Sequence, residues 1–309
     1  MESFRNVAVL GAGVIGASWT ALFLAGGRNV SLYDPVEESE RSVRAYVDRA
    51  WPTLRELGLA GIDGPGELRF HASAAKAVEN AEFIQESVPE RLHLKHELYA
   101  AIEPALKDGA ILASSASGLR LSEMQAGWLD PSRFVLGHPF NPPHLIPLVE
   151  VMGNGRTAPG VVESAEQFYR SLGKVTIRVN REVPGHVANR LQAALWREAI
   201  HLMNIGAASV EDIDTAIWAG PGLRWAAMGP TMLFHLGAGE RGLASFCERY
   251  ADSFHHWWDD LGTVKLDSNT VTRLVSGVAA EAGSHTQAEL CSLRDDLILS
   301  MLKATNHRR

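Results

Sequence analysis

Over about the first 180 residues, short apolar runs alternate with longer stretches whose apolar positions recur at helical spacing. The pattern predicts strands at 7–10, 30–33, 83–86, 110–113, 134–137, 148–151 and 175–179, and helices at 15–25, 37–57, 94–103 and 159–172. Apolar strands separated by helices belong to a mostly parallel sheet covered on both faces. After Val179 the texture changes. Residues 187–204 carry Val187, Leu191, Ala194, Leu195, Ile200, Leu202 and Met203 without strand-like alternation. Ser209 then stands as an N-cap ahead of Glu211 and Asp212, and the remainder reads as helices. Pro184-Gly185 marks the change as a hinge. The expected fold is α/β, with a Rossmann-type dinucleotide-binding domain over 1–183 and an all-α substrate and dimerisation domain over 184–309.

Composition narrows the partners. The 309 residues are 46% hydrophobic and 21% charged, with ample material for two cores, and the net charge is −7. An acidic chain without a basic run has no generic attraction to nucleic acid or anionic membrane, which leaves small molecules and copies of itself. Cys247 and Cys291 match no metal or redox spacing, so no metal is expected and a reducing cytoplasm fits. Residues 7–10 enter a strand with neither a cationic leader nor a long apolar segment before them, and no run is long enough to span a membrane.

Gly11-Ala12-Gly13-Val14-Ile15-Gly16 follows the first strand and opens the first helix. Gly11 permits the tight turn, Gly13 lets the backbone approach a pyrophosphate, and Gly16 lets helix and strand pack closely. The helix start offers free N–H groups to the phosphates. Asp34 ends the second strand, where a carboxylate can accept from ribose hydroxyls and would repel a 2′-phosphate. NAD is therefore expected rather than NADP.

Four polar residues stand in apolar or glycine-rich settings: Ser117 after the strand at 110–113, His138 after the strand at 134–137, Glu150 inside an apolar strand, and Asn189 one turn into the first helix of the second domain. Ligands bind at the carboxyl ends of parallel strands. Oxidising an alcohol needs a base for the hydroxyl proton, and imidazole titrates near neutral pH. A carboxylate can orient that base. On this view Glu150→Gln, which removes only an orienting charge, should do less harm than His138→Gln. Each residue also has a plainer reading as a loop histidine, a solvated strand edge or a cap, and spacing alone does not bring them together.

At these residues the chain resembles the 3-hydroxyacyl-CoA dehydrogenase superfamily. The resemblance runs from about Val7 to about Arg249 through the glycine turn, Glu86-Ser87-Val88-Pro89-Glu90 with Lys95, the Ser117 loop, His138-Pro139-Phe140-Asn141-Pro142, and Pro184-Gly185 with Asn189-Arg190. It implies a catalytic pair of His138 and Glu150. It also implies Ser117 and Asn189 on the substrate oxygen, and Glu90, Lys95, Ser117 and Asn141 along the nicotinamide half of NAD. The helical second domain would build a homodimer. Two branches look closest, L-gulonate 3-dehydrogenase (lambda-crystallin) and carnitine 3-dehydrogenase. The tail beyond about Leu261 carries no resemblance.

Arg224, in the glycine-rich turn Gly220-Pro221-Gly222-Leu223-Arg224, can grip a carboxylate at two points. Gulonate and carnitine carry that carboxylate, and an acyl-CoA thioester does not. Residues 35–75 hold more acids than arginines and no lysine, which disfavours the phosphates of CoA. The expected substrate is a free 3-hydroxy acid, gulonate-like ahead of carnitine and short 3-hydroxyacyl-CoA third. For carnitine, Trp218 and Trp225 are the candidate aromatics for the trimethylammonium. A bulk crystallin-like role with a silent NAD site, or a flavoprotein, are the readings from other classes.

Overall fold

A computed structural model describes residues 4–61 and 64–305. Its eight strands are β1 Asn6–Leu10, β2 Asn29–Tyr33, β3 Leu68–Phe70, β4 Phe83–Glu86, β5 Ile111–Ser114, β6 Phe134–Pro139, β7 Leu148–Met152 and β8 Val175–Arg178. Between them run helices α1 Val14–Ala25, α2 Ser39–Glu56, α3 Ala74–Val78, α4 Leu92–Ile102, α5 Leu121–Gln125 and α6 Val161–Ser171. The helical part continues as α7 Ala188–Ile205, α8 Val210–Ala219, α9 Pro221–Ala227, α10 Pro230–Gly237, α11 Gly242–Asp260, α12 Ser268–Ala282 and α13 Gln287–Ala304. The Rossmann-type α/β domain followed by helices is the fold expected.

The strands form one sheet in the order β3-β2-β1-β4-β5-β6-β7-β8. Chain order reverses between β1 and β4, and that switch opens a crevice at the carboxyl ends of both strands. All pairings are parallel except β6 with β7. Both faces are buried, which is why the strands read as continuous apolar runs. Val7, Val9, Phe83, Ile111, Ala113 and Val135 face one core with Trp19, Phe23, Phe168 and Tyr169. Ala8, Leu10, Ile84, Leu112, Phe134 and Leu136 face the other with Tyr99, Ile102, Leu121 and Met124. β3, α3 and α5 have no counterpart among the expected elements. At three to five residues each they are too short to show a period.

By compactness the chain divides between Arg190 and Leu191, within α7, just past the turn that holds Pro184-Gly185. In the second unit Ile200, Met203 and Ile213 are buried, packed by Val210, Ile217, Val264 and Leu274. Leu191, Trp196, Trp218, Leu223, Trp257, Trp258, Val275 and Leu297 remain exposed. No helix among the described residues is long and apolar enough to cross a membrane.

Candidate active site

The glycine turn lies at the carboxyl end of β1. Gly11 has φ +96° and donates its N–H to the Tyr33 carbonyl at 2.9 Å. A Cβ there would stand 2.7 Å from the Ser87 carbonyl oxygen, so only glycine fits. A Cβ on Gly16 would collide with the Gly11 carbonyl. Gly13 is different. Nothing lies within 4 Å of its Cβ position, so this face of the turn is open to a ligand beside the start of α1. Val14 is exposed there and Ile15 half-buried. Asp34 accepts from the N–H of Ala12 at 2.7 Å and of Val36 at 2.9 Å, which sets its carboxylate against the turn. A close-packed turn with an open phosphate face and an anchored carboxylate fits a dinucleotide.

The next group follows from strand pairing. β6 and β7 run antiparallel with His138 directly opposite Glu150, so both side chains leave the same face. His138 Nδ1 lies 2.7 Å from Glu150 Oε2, and the two residues are 3% and 0% exposed. A carboxylate only accepts, so Nδ1 carries the proton and Nε2 keeps the lone pair in the neutral ring. Ser117 Oγ is 3.1 Å from that Nε2. The other oxygen of Glu150 accepts the N–H groups of Val187 at 2.9 Å and Ala188 at 3.0 Å, where α7 begins. Burial alone would raise the Glu150 carboxyl, but the bonds from His138, Ala188 and Val187 outweigh it and hold it below its ordinary value. This arrangement can take a proton at Nε2 and stabilise the resulting imidazolium.

The other expected residues divide. Asn189 is the second residue of α7, half-buried and next to Ala188, rather than a full turn into the helix. The helix starts later than the apolar pattern suggested because the turn at Gly185 and His186, both at positive φ, precedes it. Asn141 is exposed in the connection between β6 and β7, ahead of a cis Asn141–Pro142 bond. Glu90 braces the Ser117 loop by accepting from the N–H of Gly118 and, at 2.9 Å, of Leu119. Lys95, expected beside the nicotinamide, is 1% exposed. Its ammonium meets Glu86 at 2.6 and 2.7 Å and the Val88 carbonyl at 3.4 Å, so its three donors are matched within the protein. Tyr99 and Ser114 also donate to Glu86, at 2.9 and 2.7 Å. Burial and the nearby Glu86 raise the Tyr99 phenol well above its ordinary value.

Two features escaped the sequence reading. One is this buried cluster around Glu86, since nothing in the sequence pairs a strand-end glutamate with a lysine one helix on. The other is His186, whose ring centroid lies 5.2 Å from that of His138. Its place directly after Gly185 was the available signal.

Arg224 lies in α9 rather than in a turn, because Pro221 suits a helix's first position and Gly222 lets the backbone approach Ile217. It is exposed, and no carboxylate among the described residues pairs with it. Trp225, 38% exposed, is its neighbour in α9, and Trp218 of α8 is 66% exposed. Cys247 and Cys291 are free thiols.

Residues 6–183 match the 3-hydroxyacyl-CoA dehydrogenase, NAD binding domain, and residues 185–272 match the 3-hydroxyacyl-CoA dehydrogenase, C-terminal domain. The L-carnitine dehydrogenase of Streptomyces coelicolor is 46% identical over 304 residues, covering 98% of this chain and 96% of that protein. The L-carnitine dehydrogenase of Nocardiopsis dassonvillei is 45% identical over 303 residues, covering 98% and 92%. These matches take in the tail beyond Leu261. They give no support to a gulonate-like substrate ahead of carnitine, and that order is corrected. The crystal structure of 5-formyl-3-hydroxy-2-methylpyridine 4-carboxylic acid 5-dehydrogenase, an NAD+ dependent dismutase, is similar with a TM-score of 0.83 and 30% identity over 97% of each chain. Its two consecutive domains and its near full-length relatives place this chain in the 3-hydroxyacyl-CoA dehydrogenase family, as an NAD-dependent 3-hydroxy acid dehydrogenase.

Proposed function

We propose that the chain oxidises the 3-hydroxyl of a small free hydroxy acid to the 3-keto acid, with L-carnitine as the substrate. The observation that carries the chemistry is the buried His138–Glu150 pair, which leaves the lone pair on Nε2 facing Ser117 Oγ. His138 takes the hydroxyl proton at Nε2 while Glu150 holds the imidazole in the required tautomer and stabilises its cation. Ser117 and Asn189 hold the substrate oxygen. The glycine turn and Asp34 would hold NAD, which when bound would supply the hydride acceptor for the substrate carbon. Glu90 supports this arrangement from behind by fixing the Ser117 loop. Lys95, expected along the nicotinamide half of NAD, is paired with the buried carboxylate of Glu86 at the end of β4.

L-carnitine as substrate is supported by the names of relatives at 45–46% identity over nearly the whole chain. Arg224 is chemically suited to its carboxylate, and Trp225 and Trp218 to its trimethylammonium. We also read the helical unit as half of a homodimer, since so many large apolar side chains stay exposed on it. The two free thiols suit a reducing cytoplasm.

Initial rates of NAD reduction on L-carnitine, L-gulonate, 3-hydroxybutyrate and 3-hydroxybutyryl-CoA test the substrate. The highest kcat/KM is expected for L-carnitine. A higher value for the thioester or for gulonate overturns the assignment, and no turnover on any of them, with NADH still bound, points to a binding role.

A further inference from the structure

Among the described residues His186 is the only non-glycine residue with positive φ, +52°, and it follows Gly185 at +73°. Two left-handed residues in succession turn the chain so that the next two N–H groups, those of Val187 and Ala188, both reach Glu150. Histidine tolerates this conformation better than most residues, though asparagine would accept it as readily. The side chain is therefore not explained by the backbone alone.

The His186 ring is 2% exposed. Its Nε2 lies 3.1 Å from the Ala116 carbonyl, the residue before Ser117. A carbonyl only accepts, so Nε2 bears the proton and Nδ1 is a bare lone pair. Nδ1 is buried and has no partner among the described residues. A second proton there would bury an N–H with nothing to receive it. Burial accordingly pushes the imidazole below its ordinary value, with the Ala116 bond and the neighbouring His138, Glu150 and Glu90 as smaller influences.

We propose that His186 is a positioning residue, an uncharged bridge that ties the Ala116–Ser117 loop to the turn holding Glu150 and so fixes Ser117 Oγ against His138 Nε2. One side chain thereby links the two supports of the base. Its neutrality matters because a charged ring 5.2 Å from His138 would oppose the charge that His138 gains in the reaction. The proposal rests on the reading of His138 as the base.

The test compares His186→Asn with His186→Gln. Asparagine suits the left-handed backbone but is too short to reach Ala116. Glutamine places an N–H donor at about the depth of Nε2. His186→Asn should lower kcat on the order of ten- to a hundredfold, the scale of a small misplacement at a reacting centre, with the KM for NAD and NADH binding by fluorescence unchanged. His186→Gln should recover most of that loss. A kcat for His186→Asn within twofold of wild type, or a His186→Gln variant as slow as His186→Asn, overturns the proposal. If His186→Asn melts below assay temperature, His186→Gln decides alone: near-normal kcat supports the bridge and a tenfold loss overturns it. His138→Gln is measured alongside. Retained turnover there refutes the base itself, whatever the His186 variants do.

Discussion

Exchange of Glu150 for glutamine is the sharpest probe of the pair. The carboxylate accepts three hydrogen bonds, one from His138 and two from the Val187 and Ala188 N–H groups. A glutamine offers one oxygen and one NH2. Turning the NH2 toward the backbone would set it against two N–H donors, so the oxygen must take that side. The NH2 then faces Nδ1 of His138 and can only donate to it. The imidazole is driven into the opposite tautomer, with the proton on Nε2, and loses its ability to accept one there. A wrong tautomer costs on the order of 10⁴ in kcat in hydrolases that use a histidine oriented by a carboxylate. Glu150→Gln should therefore be as damaging as His138→Gln, contrary to the milder effect expected from an orienting charge alone. Replacing the His138 bond should also lower stability by about 1–3 kcal/mol. That gap depends on pH. The folded Glu150 carboxyl lies below its ordinary value, so its contribution is present above the unfolded value and is lost as pH falls through the folded one. The Tm difference between wild type and Glu150→Gln should narrow on acidification. Steady-state rates, NADH titration and melting curves at several pH values check these points. A Glu150→Gln enzyme within tenfold of wild-type kcat would refute the tautomer argument.

His138→Gln should keep NADH binding and lose roughly 10²–10⁴ in kcat, measured by steady-state rates and fluorescence titration. Wild type should favour NAD over NADP in kcat/KM, and Asp34→Asn should narrow that ratio by at least about tenfold through the lost repulsion of a 2′-phosphate. Light scattering should give twice the 33.6 kDa chain mass, and Trp196→Glu should shift it toward the monomer. Arg224→Lys should lose nearly as much kcat/KM on L-carnitine as Arg224→Ala, roughly one to two powers of ten, because lysine cannot make the planar two-point contact. A carnitine ester should be indifferent to both.

The sequence showed the α/β order, the glycine turn and the polar residue types of the site, because each leaves a local mark. Gly11, Gly16 and Asp34 stand out by residue type and spacing alone, after the first strand, at the start of the first helix and at the end of the second strand. Contacts between distant segments left no such mark. Nothing local announced that β7 would enter a parallel sheet antiparallel, which is what seats Glu150 opposite His138. The ion pair of Lys95 with Glu86 was not legible either, because both charges are visible in the sequence and their meeting inside the domain is not. His186 was hidden in a motif valued for Asn189. The substrate order went astray for a related reason: Arg224 suits any carboxylate and says nothing about the rest of the molecule.

The antiparallel pairing of β6 with β7 also constrains how the chain can change over evolution. Successive strand residues alternate faces, so a single inserted or deleted residue within β7 would send Glu150 to the far side of the sheet and bring Val149 or Val151 into its place. Two residues would restore the side but move the carboxylate one full pleat from the ring, about 7 Å along the strand. The connection at 140–147 lies outside the segment paired with β6, but it is held too, by His144 against Ser18 and by the Pro143 and Ile146 carbonyls on Lys174. In this corner of the fold the spacing from Leu148 to Glu150 is set by the ring that the carboxylate must meet.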